Sequence, residues 1–335
     1  MNAGARLAAR LPGQGRLGAI ALLRRFGVIV ALAGVVLFFG SVTPTFLAPS
    51  NLLAVLVNNF ALLATVSVAM TIAARAGGLD LSVATAIDLG GLAFIAALAA
   101  GQAAGTALLA GLAAGAATGA FNAALIAGLR ITPFLATLGT LFIGRSVQQL
   151  LADGGNPIYV GAAGQPAVLA FIGHGAVLGV PVSLWLVGVL AVLFTLVFAR
   201  TRFGREATAI GVQPTVSYFS GLPVGRVQTA AYMLSGLIAA AAGIVLAASV
   251  SAYVPYSGNA FLLNAIGATF IGTTLDRSGR PNVPGTLLGV LLLALVGNGL
   301  LLIGWNFYWQ QVGQGVLIFL ALVFCFAGRR GTDIA

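Results

Sequence analysis

The chain has 335 residues, of which 60% are hydrophobic and 7% charged, whereas soluble domains carry about 25% charged residues. All 16 basic residues are arginine, against 6 acids, for a formal net charge of +10. Without lysine there is no phosphate loop of the GxxxxGK[ST] form and no Schiff base to retinal or pyridoxal phosphate. With a single histidine, His174, and a single cysteine, Cys325, there is no paired Cys/His zinc site and no intrachain disulfide.

The first 25 residues carry Arg6, Arg10, Arg16, Arg24 and Arg25 and no acid. The apolar run that follows, Phe26–Val42, is too long for a cleaved leader's core and lacks a small-residue cleavage site. Residues 1–25 therefore read as a cytoplasmic tail before a retained span. Apolar runs of roughly 17–25 residues, enough to cross a hydrocarbon core of about 30 Å, recur from there to Ala327. They predict spans at 26–43, 52–74, 80–99, 104–128, 133–151, 183–199, 228–249, 260–275, 283–303 and 310–327. The expected fold is an all-α polytopic transmembrane helical bundle of about ten spans. It would occupy residues 26–327, with a cytoplasmic connection at 200–227 and a short tail at 328–335.

The links on one side of this layout contain Arg75, Arg130, Arg200, Arg202, Arg205, Arg226, Arg277 and Arg280, and the tail adds Arg329 and Arg330. The segments on the other side (44–51, 100–103, 152–182, 250–259, 304–309) contain no arginine. By the positive-inside rule, both termini are expected in the cytoplasm. Trp185, Tyr253, Tyr256, Trp305, Tyr308 and Trp309 fall at the outer ends and read as interfacial anchors.

Spans 3 and 8 are short and interrupted by glycine. The first opens Gly77-Gly78-Leu79-Asp80-Leu81-Ser82 and contains Asp88 and Gly90-Gly91; the second runs Ala260 to Gly272. They hold matching places if spans 2–5 and 7–10 are inverted repeats, a pattern that marks a transport pathway. Ionisable residues within spans are costly, which singles out Asp80, Asp88 and Arg145. Asp80 can cap the start of span 3 and face cytoplasmic water, or line a pathway. Asp88 can line the pathway or make a buried interhelical hydrogen bond, and Arg145 can snorkel outward. Ser82, Asn122, Asn264 and Thr269 complete the candidate pathway set with the two aspartates. The span amides can equally hold helices together.

In the 200–227 connection, Pro214 suits the first turn of a short helix and Gly221 its exit. Between them stand Tyr218 and Phe219, an aromatic peg suited to a partner's groove.

Several segments, taken in order, resemble the permease subunits of bacterial ABC sugar importers of the ribose/xylose/galactofuranose type. They are Pro44-Thr45-Phe46-Leu47, Gly77–Val83, Thr132-Pro133-Phe134-Leu135-Ala136-Thr137-Leu138-Gly139-Thr140, Thr201-Arg202-Phe203-Gly204-Arg205, Ser220-Gly221 and Tyr308-Trp309-Gln310-Gln311. The resemblance covers roughly residues 40–327. It implies an inner-membrane permease working by alternating access and paired with a second permease chain, identical or not. ATP would be hydrolysed on separate cytoplasmic ATPase subunits, with no cofactor on this chain, and a periplasmic protein would deliver the sugar. It also implies that Gln213–Gly221 is the coupling helix, so that Arg205, Glu206, Gln213, Pro214, Tyr218, Phe219 and Gly221 form the ATPase-coupling set. Asp88 stands where the family usually has a small or apolar residue. The rival readings are an ion-coupled secondary transporter, in which Asp80 or Asp88 titrates, and an ABC permease for another small solute, such as an autoinducer or branched-chain amino acid.

Overall fold

The computed structural model describes residues 14–160, 166–276 and 278–327. The expectations placed on Arg6, Arg10, Arg277, Arg329 and Arg330 lie outside them. All ten expected spans coincide with helices. In chain order these are α1 (Gln14–Val42), α2 (Pro49–Ala54), α3 (Ala61–Arg75), α4 (Val83–Ala99), α5 (Ala104–Ala123) and α6 (Pro133–Leu151). After them come α7 (Ala167–His174), α8 (Val182–Arg200), α9 (Arg202–Val212), α10 (Pro214–Phe219), α11 (Val224–Val250), α12 (Asn259–Gly272), α13 (Val283–Leu302) and α14 (Phe307–Ala327). A wide π turn at Val55–Phe60 joins α2 to α3 into one 27-residue span, and a second extends α5 to Gly128.

Helix starts follow the prolines: Pro49, Pro133, Pro214 and Pro284 each sit in a first turn, where the missing N–H costs nothing. Helix α1 differs from expectation by reaching back to Gln14, into the segment read as a tail. Leucine, alanine and arginine favour helix throughout that stretch, and no proline interrupts it.

Helix α3 is buried from Leu63 to Ala73, and α11 is nearly as enclosed. The packing is reciprocal between the two halves. Helix α4 pairs with α5 and α12 with α13, while α6 and α14 lean on their respective pairs. The leading helix of each half crosses over: α11 packs on α4 and α5, and α3 packs on α12 and α13. Corresponding helices are five spans apart, so they run in opposite directions, as an inverted repeat requires. Where α11 crosses α5, Gly236 faces Gly115, and a Cβ on either would overlap the other's backbone. Small residues allow that approach, which van der Waals packing rewards in a bilayer.

The connections gather into two ends. Arg75, Arg130, the α9–α10 segment and Pro281 meet at one; at the other, β1 (Ile158–Tyr159) pairs antiparallel with β4 (Ala252–Tyr253). A second ladder joins β2 (Ala176–Val177) to β3 (Val180–Pro181). Across the bundle, Asn51 and Asn298 exchange amide hydrogen bonds of 2.9 and 3.1 Å. One expected anchor is corrected: Tyr253 is buried, because the β1–β4 ladder folds over it and Gln148 accepts its hydroxyl at 2.9 Å. Trp185, Trp305, Tyr308 and Trp309 are exposed, as interfacial anchors require.

Candidate functional site

At the arginine-rich end, α9 and α10 form one unit separated by a single residue, Gln213. The Thr201 hydroxyl caps α9 by accepting the Gly204 N–H, and Arg202 pairs with Glu206 one turn on at 2.6 Å. Helix α9 buries Gly204, Ala207 and Ile210 against the bundle. Gly204 presses on the backbone of Val197 and Phe198 at the end of α8. Arg205 lies exposed on the outer face. Pro214 opens α10, and Gly221, at φ +80°, lets the chain turn back after it. The aromatic pair is presented outward, with Tyr218 58% and Phe219 82% exposed and their rings edge-to-face at 5.6 Å. Arg130 stands 6.0 Å over the Tyr218 ring. Both rings are thus left largely uncovered by the rest of the chain.

Behind this segment is a buried polar knot. Asp80 is fully enclosed, so the expectation that it faces water is corrected. Its Oδ1 accepts the Ser82 N–H at 3.0 Å and the Ser82 hydroxyl at 2.6 Å, and its Oδ2 accepts the Ser235 hydroxyl of α11 at 2.7 Å. Asn122 of α5 donates to Ser82 Oγ, and Thr140 of α6 donates to Asn122 Oδ1 at 2.6 Å. Burying a polar group is expensive unless it is paired, so each member depends on its neighbours. The start of α4 is thereby fixed to α5, α6 and α11 at once. Asp80, Ser82 and Asn122 are thus brought together; Ser235 and Thr140 complete the set, and nothing in their local sequence distinguishes them from other hydroxyls in apolar spans.

Asp88, about a turn and a half into α4, points elsewhere. Its Oδ1 accepts the Gly258 N–H at 2.8 Å and so holds the first turn of α12. Gly258 has no room for a side chain, since a Cβ would strike the Ala84 carbonyl. Gln148 lies beside this point, accepting from Tyr253 and from the Tyr256 N–H. A cavity of about 130 Å³ adjoins it, lined by Asp88, Tyr253 and Ser257 among apolar neighbours. Arg145 is exposed and donates to Asn259 at 3.3 Å. Asn264 is half-buried on α12 and bonds its own helix at Ala260, while Thr269 is fully buried with no hydrogen-bond partner for its hydroxyl.

A larger open cavity of about 460 Å³ lies between α4, α5 and α6. Thr85, Thr118 and Thr140 stand among mainly alanine, leucine and isoleucine in its wall. Among the described residues no group of three or more His, Cys, Asp or Glu is placed to hold a metal ion.

Comparison with known proteins places these features in a family. The family described as branched-chain amino acid transport system / permease component matches residues 51–322. The ribose import permease protein RbsC of Bacillus subtilis (strain 168) is 33% identical over 302 residues, 90% of this chain and 92% of that protein. The probable ABC transporter permease protein YphD of Escherichia coli (strain K12) is 35% identical over 303 residues, 90% and 89% of the two chains. The autoinducer 2 import system permease protein LsrD of E. coli O9:H4 is 30% identical over 304 residues, 89% and 92%. No solved structure matches.

Proposed function

We propose that this chain, which belongs to the branched-chain amino acid transport system / permease component family, is the membrane-spanning permease of an ATP-driven importer whose solute is a sugar. A second permease chain would complete the pathway, and a periplasmic protein would deliver the solute. Separate cytoplasmic ATPases would bind and hydrolyse the ATP, and the arginine-rich end would face them, with both termini on that side of the inner membrane. The observation that carries this reading is α10. It presents Tyr218 and Phe219 at the end where Arg75, Arg130 and Arg280 gather, on a helix seated through α9 against the bundle. Arg205, Glu206, Gln213, Pro214 and Gly221 shape and flank that peg. Alternating access follows if ATPase closure pushes on it.

The exposed polar side chains Arg145, Ser146 and Gln149 on α6, and Gln311 on α14, suit a face turned toward a second permease chain and a watered pathway. These helices hold corresponding places in the two halves. Asp80, Ser82 and Asn122, enclosed within one chain, serve that wall by fixing α4, α5, α6 and α11 behind it. The sugar reading is supported by the kinship with ribose import permeases and by the neutral hydrogen-bonding groups of the spans, which suit a polyol better than an ion.

The test is uptake by proteoliposomes that contain this chain, with and without its ATPase, ATP and binding protein. Uptake of labelled ribose or a related sugar with the complete set alone is the expected result. Uptake by this chain alone under a proton or sodium gradient, abolished by Asp88→Asn, would overturn it in favour of a secondary transporter.

A further inference from the structure

The docking helix and the buried knot are joined by an unusually short route. Arg75, the last residue of α3, donates from Nε to the Thr208 hydroxyl of α9 at 2.8 Å and from Nη1 to the Pro281 carbonyl at 2.6 Å. Its guanidinium lies 5.0 Å from the Phe198 ring centroid of α8. One side chain thus binds α3, α8, α9 and the loop between α12 and α13, that is, both halves and the docking segment.

Two residues on, backbone meets backbone. A Cβ on Gly77 would come within 3.2 Å of Gly211 Cα, and a Cβ on Gly211 would overlap the Arg75 carbonyl. Gly77 also holds φ +97°, which a side chain would strain. No side chain intervenes, so a shift at the end of α9 has no rotamer change in which to dissipate.

The segment beyond is braced as well. Gly77 and Gly78 donate back to Ala74 and Ala73, and Thr137 of α6 donates to the Leu79 carbonyl at 3.2 Å. The next residue is Asp80.

We propose that Arg75 and the Gly77–Gly211 contact deliver movement of the docking segment to the Asp80 knot, which makes Arg75 a positioning residue for energy coupling. Displacement of α10 moves α9, α9 moves the 75–80 segment, and the knot passes that movement to α4, α5, α6 and α11 together, because it fixes them to one another. The bond to Pro281 carries the same displacement to the α12–α13 loop. This inference rests on the ATP-driven reading above.

The experiment uses the complete transporter in proteoliposomes, measuring sugar uptake and ATP hydrolysis side by side. Arg75→Gln keeps assembly and basal hydrolysis while sugar moved per ATP falls roughly tenfold, within the range of coupling factors between linked sites. Thr208→Val, which removes the hydroxyl that accepts from Arg75 and donates to the Gly204 carbonyl, lowers the ratio roughly threefold, and Thr208→Ser restores it. Wild-type stoichiometry in Arg75→Gln, or uptake and hydrolysis falling in proportion, would overturn the proposal. If Arg75→Gln does not assemble, the Thr208 pair decides on the same ratio. Absence of ATP-dependent uptake by the unaltered complex is a separate outcome, which refutes the ATP-driven reading itself.

Discussion

Helices α4 and α12 hold equivalent places in the two halves, yet their first turns are secured differently. The start of α4 rests on five polar residues drawn from its own loop and from α5, α6 and α11, all enclosed. The start of α12 rests on one buried carboxyl borrowed from α4 and an exposed 3.3 Å bond from Arg145 to Asn259, and α12 leaves Leu263 72% exposed. The difference shows that α4 links the two starts: its own is fixed to its neighbours, and its Asp88 in turn holds that of α12. A change at α4 should therefore reach both halves, and a change at α12 should remain local.

Substitutions test that ranking, read as thermal unfolding of purified protein in detergent. Asp80→Ala is expected to be the most damaging, because it strands the Ser82 and Ser235 hydroxyls together. A loss of about 3 kcal/mol or more follows from several bonds to one buried group. Gly236→Val should cost about 1–3 kcal/mol by forcing α11 away from α5. Asp88→Ala leaves the Gly258 N–H without its acceptor, removes the contact with the Gln148 side chain and should cost about 1–2 kcal/mol. A larger loss at Asp88 than at Asp80 would reverse the proposed hierarchy. Thr71→Val removes a 2.9 Å contact with Thr286 between α3 and α13, worth about 0.6 kcal/mol in a bilayer. Thr269→Val should be neutral or stabilising, since that buried hydroxyl has no partner to lose.

Much of this architecture was legible in the sequence, for identifiable reasons. Crossing a bilayer demands long apolar runs, so the spans could be placed. Arginine distribution sorted the connections into two groups, and those groups meet at opposite ends of the bundle. Pro214 and Gly221 marked the ends of a short helix because proline fixes φ at a helical value and glycine accepts the positive φ of the exit.

The partners of isolated polar residues were not legible. Ser235 and Thr140 meet Asp80 and Asn122 only through the rotation and depth of four helices distant in sequence, which an apolar pattern does not specify. Arg75 read as a topology charge, although its guanidinium also bridges three segments. Tyr253 read as an interfacial anchor because its burial depends on a two-residue ladder with Ile158–Tyr159, formed across more than ninety residues. Asp88 was left between two roles, and the structure gives it a hydrogen bond from the Gly258 N–H at the start of another helix.

On the proposed function, this chain carries solute only when partners act on α10. The most direct measurement is ATP-dependent sugar uptake by the reconstituted complete transporter, comparing the unaltered chain with a Tyr218→Ala, Phe219→Ala double variant. The account predicts that the variant folds and unfolds thermally like the unaltered chain, because both rings are exposed, but loses ATPase binding and uptake together. Full uptake by the variant, or uptake by the unaltered chain without ATPase and ATP, would contradict it.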